Sequence, residues 1–332
     1  MKAETGGQRL PSTGRVERNR TLILIHGRSF KPAKAELETL WMQALRTGLA
    51  RDAADALPAF ERCKVDFVYY GDEIGAVLEA AGRRYDAALD LADLKNTLAS
   101  LTALSKTKQF RREHYERLPG KTPMKEFLAD IGAPTLAALG LKNRALDRFL
   151  PELVDYWRTS GSGLQAADAR LREVVGAAME RDDDILLVSH CIGSVLAYNA
   201  LWHLSRGGDR GGRCAQRKVA LWLTLGAPLG DESVKHRLDG AAVDRHLRYP
   251  NNVVSWINVA AEDDYVCHDD RLANDYRAML DERLVSRMED ARVYNLAVRY
   301  GRSNPHNALG YLIHPRVSRE LAQWLAVEPS AQ

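Results

Sequence analysis

The stretch Ile185-Leu-Leu-Val-Ser-His-Cys-Ile-Gly-Ser194 constrains this chain more than any other. A short apolar run reads as a buried strand. It breaks into a turn of small residues around Cys191 and then into a helical pattern, Gly193 to about Arg206, carrying Val195, Leu196, Leu201 and Leu204. Strand, sharp turn, one nucleophile and helix start make a nucleophile elbow, whose usual form is G-x-S-x-G. Ser189 stands at the first glycine, Cys191 at the serine and Gly193 at the second glycine, with His190 beside the nucleophile. Small residues are needed there because the nucleophile sits at strained backbone angles while strand and helix approach each other closely. The helix start also points its free N–H groups at Cys191, which favours a thiolate. A buried cysteine serving as a small hydrophobe is the alternative reading of Cys191.

Other apolar runs extend the pattern. Thr21–Ile25, Val65–Tyr70, Ile185–Val188, Val219–Leu225, Val253–Val259 and Val293–Val298 read as strands, most of them nearly continuous in Val, Ile and Leu. Such runs suit a parallel sheet covered on both faces. Helical patterns alternate with them, as over Glu36–Leu49, so the expected class is α/β with a mostly parallel, doubly wound sheet. The interval 73–160 offers no convincing strand and reads as a helical insertion or lid, with helices expected over Tyr85–Leu104 and Met124–Leu141. Its basic excess gathers in Lys106, Lys108, Arg111, Arg112 and Arg117, read either as a solvated face or as an attractor of anionic substrates or lipid head groups. Residues 1–20 and 326–332 read as tails on a domain spanning 21–325.

Composition removes several function classes. A net charge of +3 on 332 residues is too small to argue for nucleic acid, and no G-x-x-x-x-G-K phosphate loop occurs. The four cysteines, Cys63, Cys191, Cys214 and Cys267, form neither C-x-x-C pairs nor a dense framework, so no zinc site or disulfide scaffold is expected. No apolar run approaches the roughly 20 residues of a membrane span, and the start of the chain shows no apolar signal region. A cytoplasmic location is the default expectation, with peripheral membrane contact left open.

A nucleophile on such a sheet needs an acid and then a base further along the chain. His306, at the end of the polar loop Arg299-Tyr-Gly-Arg-Ser-Asn-Pro-His306, fits the base. His314, before Pro315, reads instead as a helix-start residue. The acid should follow the strand Val253–Val259, where Glu262, Asp263 and Asp264 stand. Asp264, two residues before Val266, leads, and Asp263 is the runner-up. Asp264 would hold His306 in the tautomer that accepts the thiol proton. An oxyanion hole is expected from the turn His26-Gly27-Arg28-Ser29 after the first strand, through the N–H groups of Arg28 or Ser29, and from the N–H of Ile192. His26 reads as a loop stabiliser.

Taken together, His26-Gly27, the Ser-His-Cys-Ile-Gly-Ser elbow, Gly226-Ala-Pro-Leu-Gly230, Trp256-x-Asn258 leading to Asp264, and Asn304-Pro-His306 resemble bacterial lipase or esterase-like α/β-hydrolases over roughly residues 20–60 and 150–325. The departure is Cys191 where that family carries serine. In the elbow alone the chain also resembles dienelactone hydrolases and the G-x-C-x-G polyhydroxyalkanoate synthases. The resemblance implies an α/β-hydrolase fold and an acyl hydrolase acting on a carboxylic ester, thioester or lipid-like small molecule through Cys191, His306 and Asp264. That chemistry requires no metal or organic cofactor. An acyltransferase with the same residues is one alternative, and a non-catalytic binding or scaffold protein that uses the helical interval as its interface is another.

Overall fold

The computed structural model describes residues 18–80, 82–107, 109–120, 156–157, 163–206, 214, 216–244, 247–267 and 271–326. The helix expected over Met124–Leu141 and the tails 1–17 and 327–332 lie outside them. Six strands, β1 (Arg20–Ile25), β2 (Lys64–Val68), β3 (Asp184–His190), β4 (Val219–Leu225), β5 (Val253–Ala261) and β6 (Arg287–Val293), form one sheet. Its order is β2-β1-β3-β4-β5-β6, and every neighbouring pair is parallel. The chain is therefore α/β, with helices on both faces of the sheet.

The apolar runs explain this two-sided burial. Leu22 and Leu24 of β1 pack on one face with α1 (Lys34–Asp52). The same face takes Leu94, Leu98 and Leu101 of α2, which spans Ala87–Ser105, and Val317 and Leu321 of α3, which spans Pro315–Ala326. Ile23 and Ile25 point to the opposite face. There they meet α4 (Gly163–Glu180) and α5 (Ile192–Ser205). Each such Leu or Ile is fully buried, which is worth about 1.5–3 kcal/mol per side chain. No strand occurs among the described residues of the interval 73–160.

The strand order places the site. It reverses between β1 and β3, and their following helices, α1 and α5, leave to opposite faces, which opens a crevice at the carboxyl ends of these two strands. The register aligns those ends across the sheet: Ile25 lies opposite Ser189, His190 opposite Leu225, Leu225 opposite Val259, and Ala261 opposite Val293. The loops that leave β1, β3 and β4 therefore start within one residue of one another, while β5 runs on to Ala261 before its loop begins.

One strand departs from the sequence expectation. The last strand of the sheet covers Arg287–Val293, not Val293–Val298. It lies at the sheet edge and carries exposed Asp290 and Arg292 between buried Met288 and buried Val293. Edge strands tolerate such charge, so an apolar run was the wrong signal there. The segment expected to be the strand instead buries Leu296 and Ala297 as it leads into a small antiparallel pair, β7 (Val298–Arg299) with β8 (Arg302–Ser303).

Candidate active site

Cys191 occupies the junction of β3 and α5 with φ 56° and ψ −129°, a positive-φ conformation that costs a non-glycine residue energy and persists only where neighbours enforce it. Here they do. The Cys191 N–H donates to the Leu225 carbonyl at 3.0 Å, and the Ser194 N–H donates to the Cys191 carbonyl at 2.9 Å. A Cβ on Gly193 would stand 2.4 Å from the His26 carbonyl oxygen, and one on Gly27 would stand 2.5 Å from the Cys191 Cβ. Both glycines let the loop after β1 lie directly against the elbow. Ser189, at the position usually glycine, is used for its hydroxyl: Oγ accepts from the Trp222 indole N–H at 2.9 Å and lies 2.9 Å from Ser194 Oγ.

The acid and base converge on the same edge of the sheet. His306 Nδ1 lies 3.0 and 2.9 Å from the two carboxylate oxygens of Asp264. Asp264 also accepts from the Tyr311 hydroxyl at 2.6 Å and from the Val266 N–H at 3.0 Å. Asp263 is turned elsewhere: its carboxylate accepts from the Tyr115 hydroxyl at 2.6 Å. His314 has no part in the cluster, and its Nδ1 accepts from the Arg316 N–H at 3.1 Å at the start of α3, the helix-start role expected of it.

The loop bearing His306 is fixed carbonyl by carbonyl. Buried Asn295 donates to the carbonyls of Pro305 and Asn307, each at 2.8 Å. His190 Nε2 lies 2.9 Å from the carbonyl oxygen of His306 itself. Since a carbonyl only accepts, His190 carries its proton on Nε2. Burial and the neighbouring His306 hold His190 well below the usual histidine range, so it is neutral.

Burial alone would push the Cys191 thiol up, but the His306 imidazolium, with Arg28, outweighs burial and holds the thiol below its ordinary value. Burial opposes charge on His306 as well, yet Asp264 and the Cys191 sulfur raise that ring to about 10. Asp264 stays ionised although buried, because His306, Tyr311 and the Val266 N–H hold its carboxyl below the usual range. His306 Nε2 has no hydrogen-bond partner among the described residues. Each of the three groups is thus pulled by its neighbours towards its charged form, the thiol and the carboxyl downwards and the imidazole upwards.

The turn after β1 supplies donors by a simple backbone argument. In a trans peptide the C=O and N–H point in opposite directions. Neutral His26 accepts the Tyr70 N–H on Nε2 at 3.0 Å, which puts its own proton on Nδ1, and Nδ1 donates to the Gly27 carbonyl at 2.8 Å. The other end of that peptide, the Arg28 N–H, is thereby aimed at the Cys191 sulfur and helps lower the thiol. Buried His26, with its pKa lowered to about 3 by desolvation, is the loop stabiliser expected of it. Lys31 repeats the device, its ammonium donating to the carbonyls of Arg28, Ser29 and Phe30. This turns the Ser29 N–H the other way. Ser29 itself has φ 71°. Ile192 opens α5, where an N–H has no acceptor within its own helix.

A cavity of about 860 Å³ lies above these groups, lined among others by Arg28, Phe30, Trp41, Tyr115, Tyr265 and His306. Among the described residues no group of three or more His, Cys, Asp or Glu side chains converges to hold a metal ion. None of the described helices is long and apolar enough to cross a membrane. No family model, curated protein or solved structure matches this chain.

Sequence reasoning missed Tyr311, Asn295 and the part played by Gly226. Gly226 follows β4 with φ 54°, and a Cβ there would meet Asp264 Oδ2 at 2.8 Å and His306 Nδ1 at 3.2 Å. Its only signal was a glycine directly after an apolar run. Gly226→Ala is expected to cost about 1–2 kcal/mol from the positive φ alone and to push the acid and base apart. Thermal unfolding together with steady-state kinetics checks this, and a variant with unchanged kcat would mean that the pair tolerates displacement.

Proposed function

We propose that this chain is an acyl hydrolase of the α/β-hydrolase type. Within that class it is a thiol esterase whose triad is Cys191, His306 and Asp264, with the N–H groups of Arg28, Ser29 and Ile192 available as the oxyanion hole. The observation that carries the reading is that Asp264 holds His306 on the same sheet edge at which the strained elbow presents Cys191, the Arg28 N–H aimed at the sulfur. The strand order with its reversal at β1 and β3 supports the fold assignment, and the chain order nucleophile, acid, base agrees with it.

The reaction follows from those positions. The thiolate attacks the ester carbonyl, a C–S bond forms, and the carbonyl electron pair moves to oxygen, where the backbone donors stabilise it. The C–O bond then breaks, and the leaving alkoxide takes the proton from His306 Nε2. Water, deprotonated by the now neutral His306, attacks the thioester, and collapse releases the acid and returns the thiolate–imidazolium pair.

Rapid quenching of the reaction with a p-nitrophenyl ester should leave an acyl group on the Cys191 peptide, detectable by mass. Acyl label on any other residue, or none during turnover, would overturn the reading. Activity should rise as the lowered thiol ionises, below the ordinary cysteine range, and fall as His306 loses its proton towards about pH 10. A profile with a single rise near the ordinary thiol value would exclude the ion pair.

A further inference from the structure

The cavity walled by His306 carries four basic side chains, Arg28, Lys31, Arg112 and Arg299, and four acidic ones, Asp90, Glu116, Asp263 and Asp264. Most are used within the protein. Arg112 pairs with Glu116 at 2.6 Å, and Arg299 pairs with Asp90 and Asp93. Asp264 holds His306, Asp263 accepts from Tyr115, and Lys31 donates to three loop carbonyls. Arg28 is different. Arg28 lines the cavity, its own N–H faces the Cys191 sulfur, and among the described residues no carboxylate pairs with its guanidinium. Lys31, three residues on, adds positive charge on the same loop.

An arginine half-buried in a cavity wall presents a planar fork of donors that matches a carboxylate or phosphate in two parallel hydrogen bonds. A neutral ester offers that fork only weak carbonyl acceptors, whereas a substrate carrying its own anion meets both donors with charge-assisted hydrogen bonds.

We propose that Arg28 is a specificity residue that docks an anionic group of the substrate, so that the preferred acyl compound is an ester or thioester bearing a carboxylate or phosphate within one arginine side chain's length of the scissile carbonyl. This rests on Cys191 being the nucleophile. Attack itself is unchanged: the C–S bond forms, the C–O or C–S bond to the leaving group breaks, and the proton goes from His306 to that group.

Two measurements separate the readings. The first needs no turnover. Intact protein is alkylated with iodoacetate or with iodoacetamide, and the rate at Cys191 is read from the mass of its peptide. The two reagents differ in charge, and free thiolates do not favour the anion. Iodoacetate should react at least about tenfold faster at Cys191, a difference of roughly 1.4 kcal/mol. Arg28→Ala and Arg28→Gln should erase that preference and Arg28→Lys should keep part of it; because the guanidinium also helps hold the thiol low, the iodoacetamide rate should fall modestly in the two neutral variants, and the ratio of the two rates is the readout. The second measurement compares mono-p-nitrophenyl glutarate, p-nitrophenyl butyrate and 3-carboxy-4-nitrophenyl butyrate, which carry the anion on the acyl side, nowhere and on the leaving group. Preference for either charged ester, lost through KM in Arg28→Ala, supports the proposal and says which side Arg28 holds. Equal rates with charged and neutral reagents overturn it while leaving the esterase reading intact. A parallel fall with both reagents in Arg28→Ala that leaves their ratio unchanged would make Arg28 a thiolate stabiliser only and also overturn it. No alkylation of Cys191 by either reagent overturns this inference and the esterase reading together.

Discussion

Cys191→Ala is expected to lower kcat on p-nitrophenyl esters by about 10⁴-fold or more. The scale follows from triads elsewhere, where deletion of the nucleophile costs about as much as deletion of all three members and leaves only the contribution of binding and the oxyanion hole. The variant should fold, because alanine keeps the Cβ that packs against Gly27 and both backbone hydrogen bonds of the elbow. Circular dichroism and thermal unfolding check that separately from rate. An alanine variant as active as the parent would remove the thiol from the chemistry and favour a binding role for the chain.

Cys191→Ser asks a sharper question. A hydroxyl is not ionised beside an imidazolium, so the variant must use His306 as a neutral base. The Cys191 sulfur is one of the groups that raise His306, and without that charge the ring should titrate lower. The acid limb of the pH profile should then report His306 rather than the thiol. A serine variant with the parent's acid limb would show that the limb never belonged to the Cys191–His306 pair.

The elbow was legible in the sequence because each demand falls on a short stretch: an apolar strand, small residues around one nucleophile, a helix after it. Asp264 was legible from its place after β5, two residues before Val266, whose N–H does bond its carboxylate. The edge strand β6 was not, since at the sheet edge it carries exposed Asp290 and Arg292 where an apolar run was sought. Tyr311 and Asn295 were illegible for another reason. Tyr311 reaches Asp264 across 47 positions, and Asn295 grips two carbonyls of a loop ten or more residues on. Neither contact leaves a local pattern. His26 was legible as a residue of the turn after β1, but that it turns the Arg28 N–H towards the nucleophile depends on a peptide orientation that only coordinates supply.

Asp264→Asn is the second large effect, expected to cost about 10⁴-fold in kcat, as loss of the correct tautomer does in other triads. The carboxylate accepts from His306, Tyr311 and the Val266 N–H at once. An asparagine keeps one accepting oxygen and turns two N–H donors on the rest, so it must oppose either the Tyr311 hydroxyl or the protonated Nδ1 of His306. With the opposing charge gone, the imidazolium loses its first stabiliser, and the thiol loses in turn the charge that holds it low. Cys191 should therefore be alkylated more slowly at neutral pH, and its titration should move up, a readout that a merely loosened fold would not give. Asp263 cannot substitute, because it is committed to Tyr115. Stability should follow the same linkage. A folded-state pKa of about 10 on His306 stabilises the native state below the ordinary histidine value and loses that contribution as pH rises through about 10. In Asp264→Asn that dependence should shrink, and a variant whose unfolding midpoint keeps the parent's full alkaline fall between pH 7 and 10 would place the raised pKa elsewhere.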